Sequence, residues 1–342
     1  MATSPTGSIT APVRGGYGEL AREIRGRGLL RPRTGYYVLV ALLDLAALAA
    51  VVSGLVLLHD TWWAVLLAPV FAVVSTQIAF FSHDAAHRQI THDNRTVAVL
   101  CLIAGNLLNG LSFGWWLSKH NAHHAHPNDL DTDPDVAAGA LVWASRQAGA
   151  RRGVAAWLTR HQAGLFFPML TLEALNLRVS SVRAVLAPGL RYRRTEGLLL
   201  VVHALLYVTL LVSTLTWAQA LVFLLVHQAL FGVYLGCSFA PSHKGMPELT
   251  AEQAADPLLR QVLTSRNVRG GRALDVALGG LNLQIEHHLF PSMPRPNLRR
   301  ARPVVRRHCQ DRGIAYSEAS LLGSYAIGLR HLHEVGAGLR RS

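Results

Sequence analysis

Charge is scarce in this chain of 342 residues: Asp, Glu, Lys and Arg together make up only 15%, against roughly a quarter in an ordinary globular domain. Acids are scarcer still. There are 20 of them against 33 Lys and Arg, so the net charge is +13 while 51% of the residues are hydrophobic. Nucleic-acid binding has use for such a charge but no need of so many apolar runs, so nucleic acid is not the expected partner. Cysteine is nearly absent. Cys101, Cys237 and Cys309 form no CxxC pair, which excludes a disulfide framework and a zinc knuckle. Residues 1–34 lack the apolar stretch of a signal peptide, so no cleaved leader is expected. No flavin or nicotinamide fingerprint, internal repeat or HExxH motif is present, and without that Glu a zinc hydrolase of the gluzincin type loses its general base.

What is present is apolar sequence in long runs. A membrane span needs about 20 mostly apolar residues. Residues 36–58 and 62–81 qualify and are joined by His59-Asp60-Thr61. Residues 198–214 and 220–239 form a second such hairpin. Neither tip carries Lys or Arg, and Trp62, Trp63 and Trp217 sit there as interfacial aromatics. Arg14, Arg22, Arg25, Arg27, Arg31 and Arg33 precede the first span, so the positive-inside rule puts both termini and the long middle segment in the cytoplasm. Segment 97–116 is apolar too. Gly105, Asn106, Asn109, Gly110 and Gly114 interrupt it, which predicts a helix lying in or dipping into the interface rather than a fifth span. Segment 165–177, with Pro168, Glu173 and Asn176, reads as interfacial as well. Asp44, inside the first span, is expected to hydrogen-bond between helices. The expected fold is an all-α integral membrane protein with four transmembrane helices in two hairpins, interfacial helices and a cytoplasmic cap. Residues 1–34 read as a basic, partly disordered N-terminal segment, 35–335 as the membrane domain and 336–342 as a tail.

Against this apolar background stand three histidine clusters: His83-Asp84-Ala85-Ala86-His87, His120-Asn121-Ala122-His123-His124 and Gln284-Ile285-Glu286-His287-His288. Residues three and four apart share a helix face, so each cluster can present its imidazoles together. Imidazole suits iron, zinc and copper. His243, in Pro241-Ser242-His243-Lys244-Gly245, is a further candidate, because Pro and Gly there could break the helix and turn it toward the cap. That makes eight histidines, enough for two metals with about four nitrogens each. A bis-histidine haem would leave most of them without a role. His203 and His227 lie inside spans and read as packed polar residues, while His92, His126 and His161 lie in polar segments. Soluble di-iron proteins use a set of Glu and Glu-x-x-His ligands that this chain lacks.

The boxes HxxxH, HxxHH and QxxHH resemble those of the integral-membrane fatty acid desaturases, of the bacterial acyl type. The likeness runs from roughly residue 36 to 335. It includes Ala125-His126-Pro127-Asn128, Asp133-Pro134-Asp135 and Asn282-Leu283-Gln284-Ile285-Glu286-His287-His288-Leu289-Phe290-Pro291. The resemblance implies a non-haem di-iron enzyme in the cell membrane that uses O2 and two electrons to remove two hydrogens from an acyl chain. His83, His87, His120, His123, His124, His243, His287 and His288 would hold two iron ions (Fe2+/Fe3+), with Gln284, Asp84, Asn121 and Glu286 around them. Gln284 stands where many relatives have histidine, Phe239 where some have a water-bridging Asn. No cytochrome b5 domain with its HPGG motif is expected at either end.

The chemistry agrees with this likeness, since an unactivated methylene has no acidic proton and acid–base groups alone cannot desaturate it. The acyl substrate, carried on CoA, phospholipid or a carrier protein, would enter among the helices with its head at the cap. Arg266, Arg269 and Arg272 are candidates to meet a head-group phosphate, or membrane lipid. Arg295, Arg299, Arg300, Arg302, Arg306 and Arg307 could form a docking face for an acidic electron donor, a ferredoxin or cytochrome with its reductase. A hydroxylase or other lipid oxygenase on the same scaffold is the alternative outcome, and a metal or haem transporter the rival of another class.

Overall fold

The computed structural model describes residues 16–341. Helix α1 (Gly16–Gly26) precedes α2 (Thr34–Leu57); a short turn, α3 (Trp62–Val65), then leads into α4 (Leu67–Ala86). Helix α5 (Asn94–Cys101) widens into a π-helical stretch (Leu102–Leu108), breaks, and gives way to α6 (Phe113–Ala125). A connection containing α7 (Ser145–Gly149) reaches α8 (Gly153–Leu170) and α9 (Glu173–Leu186). Then come α10 (Arg193–Thr214) and α11 (Trp217–His243). The last third contains α12 (Ala251–Ala255), α13 (Pro257–Leu263), β1 (Asn267–Arg269), α14 (Arg272–Ala277), α15 (Gln284–Leu289), α16 (Arg295–Asp311), β2 (Glu318–Ser320), α17 (Leu321–Val335) and α18 (Ala337–Arg341). The fold is helical apart from β1 and β2, a parallel pair with Asn267 opposite Glu318.

Among the described residues four helices are long and apolar enough to cross a membrane: α2, α3 with α4, α10 and α11. They make the two expected hairpins. Val38, Leu39, Leu42 and Leu43 on α2 and Leu198, Val201, Leu205 and Leu206 on α10 are exposed on the protein surface, as befits helices that face lipid rather than a protein core. The two tips touch. Asp60 N donates to Thr214 O (3.0 Å) and Gln219 Nε2 to Asp60 O (3.2 Å), beside a capping box in which Thr216 and Gln219 start α11. At the opposite end α4 and α11 run further than their apolar cores require, so His83 and His243 sit on the spans themselves. The break expected at Pro241 does not occur. α11 continues through it to His243 and ends at Lys244 and Gly245, the latter at φ +77°.

Segment 94–125 is two helical pieces bent by 110°, an elbow where a helix lying in or dipping into the interface was expected. A buried carboxylate holds the elbow. Glu196, at the start of α10, accepts from Ser112 Oγ (2.6 Å), Gly114 N (3.1 Å) and Asn106 Nδ2 (3.3 Å). Gly110, at φ +65°, is required there, because a Cβ would lie 2.3 Å from the ring of His203. His203 Nδ1 donates to Leu107 O (2.9 Å), and His227 lies between Ser75 and Tyr207; both are packed polar residues as expected. Segment 165–177 is the elbow between α8 and α9. Asp44 departs from expectation: its Oδ2 is buried without a hydrogen-bond partner, so no helix–helix bond forms there.

The cap has its own core. Leu20, Ala21 and Ile24 of α1 join Leu258 and Val262 of α13, Ile285 and Leu289 of α15, and Leu298, Ala301 and Val305 of α16. Part of the disorder expected for the N-terminal segment, together with Arg14, falls on residues 1–15, outside the described ones. Gly16–Gly26 is an amphipathic helix on this core.

Candidate metal centre

The helix ends gather the histidines. His83 and His87 come from the end of α4, His120, His123 and His124 from α6, His243 from the end of α11, and His287 and His288 from α15. Ring nitrogens of His83, His87, His120 and His287 lie within 4.8 Å of one another, and so do those of His123, His243 and His288. His124 sits between the two groups. Its Nε2 is 3.0 Å from His120 Nε2, and its ring stacks on His288 with centroids 4.2 Å apart. All eight predicted histidines therefore meet in two adjoining sets.

Hydrogen bonds around these rings decide which nitrogen faces inward. Nδ1 of His83 donates to Asp84 Oδ1 (3.0 Å), of His123 to Asp133 Oδ2 (2.8 Å), of His243 to Thr264 O (3.0 Å) and of His288 to Gln261 Oε1 (3.0 Å). A neutral imidazole with its proton on Nδ1 carries its lone pair on Nε2, the arrangement in which an outer acceptor orients a metal ligand. The inward atoms await a partner. His83 Nε2, His287 Nε2, His288 Nε2 and Gln284 Oε1 are buried without one, which is costly unless a cation takes the lone pairs. His87 Nε2 and His124 Nε2 both lie within 3.0 Å of His120 Nε2, and one N–H can satisfy only one of them. Burial first, and the neighbouring imidazoles second, hold His287 and His288 well below their ordinary pKa, so they are neutral as metal binding requires. The residues fit two nitrogen-ligated transition-metal ions.

The other predicted residues divide. Asp84 and Gln284 touch histidines directly, Gln284 through Nε2 at 2.9 Å from His243 Nε2. Glu286 faces away, accepting from Tyr316 Oη (2.6 Å) and Asn267 Nδ2 (2.8 Å). Asn121 is exposed and is not brought to the site. Arg266 is 2% exposed, with its guanidinium donating to the carbonyls of Pro241 (2.6 Å) and Lys244 (3.0 Å); it is an internal strut, not a surface contact. Arg269 and Arg272 are exposed. Arg295, read as part of a docking face, is buried against Asp84. Arg299 and Arg302 pair with Asp275 and Glu318, whereas Arg300 and Arg307 are exposed.

Three partners of the rings were not singled out from the sequence. Gln261 holds His288 and donates to His124 O (2.8 Å), tying box three to box two. Thr264 offers only its carbonyl, which no side-chain pattern announces. Asp133 accepts from His123 and from the backbone N of Asn128 (2.8 Å) and Asp135 (2.8 Å); its DPD context was the available signal.

Four candidate spans with eight histidines gathered at one end, three from the ends of α4 and α11 and five from α6 and α15, describe a polytopic membrane protein with a polyhistidine cluster that could hold metal. A family model described as fatty acid desaturase matches residues 60–320, and the chain belongs to that family. It is 31% identical over 312 residues to an acyl-lipid (9-3)-desaturase of Physcomitrium patens, covering 88% of this chain and 58% of that protein. A Delta(8)-fatty-acid desaturase 2 of Arabidopsis thaliana is 28% identical, with 89% of this chain and 71% of that one covered. A Delta 8-(E)-sphingolipid desaturase of Kluyveromyces lactis is 28% identical over 76% of this chain and 49% of its own. The chain thus spans little more than half the length of some of these relatives.

Proposed function

We propose that this protein desaturates a fatty acyl chain in lipid metabolism, using O2 at a di-iron centre held by His83, His87, His120, His123, His124, His243, His287 and His288. The observation that carries the reading is the convergence of these imidazoles, with Nδ1 of His83, His123, His243 and His288 engaged by outer acceptors and Nε2 of His83, His287 and His288 buried without a partner. Iron bound there supplies the oxidising power, drawn from O2, two electrons and two protons, that converts CH2–CH2 to CH=CH with release of two waters. The chain's own residues orient and enclose. Asp84, Asp133, Thr264 and Gln261 fix the ring tautomers. Trp116, stacked on His120 at 4.3 Å, and Phe239, 6.5 Å from His83, form apolar walls that keep water from the reacting carbons. The acyl-lipid, fatty-acid and sphingolipid desaturases to which the chain is similar support a fatty acyl chain, free or carried in a lipid, as the substrate class.

In this reading the histidine end and both termini face the cytoplasm, where the arginine-rich segments meet anionic lipid. The exposed Arg300 and Arg307 of α16 form part of a surface for a ferredoxin or cytochrome donor. The test is expression in a heterologous host followed by gas chromatography–mass spectrometry of total lipids, with metal analysis of the purified protein. A new double bond and about two irons per chain support the proposal. A hydroxylated chain would favour the oxygenase alternative, and absence of iron would overturn the metal assignment.

A further inference from the structure

The Asp84 carboxylate is 1% exposed and shared between a histidine of box one and an arginine of the helix after box three. Its Oδ1 accepts from His83 Nδ1 at 3.0 Å. Its Oδ2 accepts from Arg295 Nε at 2.9 Å, with Arg295 Nη2 2.7 Å away. The guanidinium occupies one oxygen only and leaves the other for the imidazole. Arg295 is 7% exposed and fixed from several sides. Its backbone N donates toward Tyr37 Oη (3.1 Å) and Gln89 Oε1 (3.1 Å), and its guanidinium lies 5.9 Å from the Phe80 ring centroid. Gly280, at φ +78°, leaves room for it, since a Cβ there would stand 2.6 Å from Arg295 Cγ.

The four ring acceptors are not equivalent. Gln261 and the Thr264 carbonyl are neutral, and Asp133 is solvated by two backbone N–H groups. Asp84 alone depends on a permanently charged side chain from a distant element. A buried carboxylate stripped of its cation is strongly disfavoured; it would turn away toward other donors, and the His83 orientation it sets would be lost with it. We infer that Arg295 is a positioning residue for the metal centre, holding His83 through Asp84 so that box one and the helix after box three close on the metal together.

The inference rests on the metal-centre reading and is tested on the full chain in detergent with cobalt(II) as probe. The readouts are its ligand-field spectrum and its rate of release to a chelator. Arg295→Gln and Asp84→Asn should each speed release by about 10–100-fold, the usual effect of losing an outer partner, and shift the cobalt bands. Arg295→Lys should recover part of the loss. In the Asp84→Asn background, Arg295→Gln should add nothing. Arg299→Gln, on the same helix, should release cobalt at the wild-type rate. Wild-type release from Arg295→Gln would overturn the inference, as would a full additional effect on top of Asp84→Asn. If Arg295→Gln fails to fold, unchanged release from Asp84→Asn overturns it equally. Failure of the wild-type chain to bind cobalt or iron would instead overturn the metal centre itself.

Discussion

The Gln284 amide nitrogen lies 2.9 Å from His243 Nε2, the nitrogen left with a lone pair because Nδ1 donates to Thr264 O. Gln284 Oε1 has no partner. A metal on His243 would displace this hydrogen bond, and half a turn of the amide, which has nearly the same shape either way, would bring Oε1 toward the ion. Gln284→Leu should therefore release bound cobalt about tenfold faster than wild type, whereas Gln284→His should retain it. Identical release rates for wild type and Gln284→Leu would show that the amide takes no part.

Gly232 and Gly236 let the elbow between α8 and α9 press onto α11. A Cβ on Gly232 would stand 2.5 Å from Leu170 O and 2.8 Å from Ala174 N, and backbone atoms of two helices cannot step aside as a flexible side chain can. Small residues four apart serve this close approach in membranes. Gly232→Ala should destabilise the protein by about 1–3 kcal/mol, seen as earlier thermal unfolding in detergent. Gly35→Ala, where a Cβ meets nothing within 4 Å, is the control and should unfold no earlier than wild type, since Ala is favoured over Gly in a helix.

Spans and the clustered histidines were legible for the same reason: each depends on residue type along a local stretch. Apolar runs mark α2, α4, α10 and α11, and imidazoles at helical spacing mark the boxes. Arg295 was not legible, because nothing in an arginine-rich run distinguishes the one that turns inward to an aspartate 211 positions away. Gln261 and Thr264 are separated from their histidines by 27 and 21 residues, so only tertiary folding reveals them. Asn121 failed on geometry. On a helix it lies about 100° from His120 and about 200° from His123, which turns it to solvent. Asp84, also adjacent to a ligand, reaches its ring because His83 presents Nδ1 back along the same helix end.

Glu196 is the acceptor on which the 94–125 elbow closes, and its side chain is fully buried. Glu196→Ala would strip partners from Ser112 Oγ, Asn106 Nδ2 and Gly114 N. Each buried group left unpaired costs about 1–3 kcal/mol. The elbow sets the start of α6 and so the positions of His120, His123 and His124. Glu196→Ala should lower both the unfolding temperature and bound metal, and Glu196→Gln, which keeps one carbonyl oxygen, should fall between. An Ala variant with wild-type stability and metal content would remove Glu196 from this role.

Acid should dismantle the centre, and the sign follows from the histidines outside the spans. Burial, reinforced by neighbouring imidazoles, depresses His287 and His288 well below 6.5 in the folded protein, while in the unfolded chain they return to about 6.5. For a depressed pKa the unfolded state binds the proton first. The stability contribution is therefore fully present above about pH 6.5 and is lost as pH falls. Metal competes with the same protons for the same nitrogens. Metal-free protein should lose thermal stability progressively below about pH 6.5, and metal-loaded protein should hold to lower pH before releasing its ions. Thermal melts with and without cobalt across pH 8 to pH 4 measure both curves. A metal-free protein whose stability is flat over that range would contradict the buried, neutral imidazoles on which the site depends.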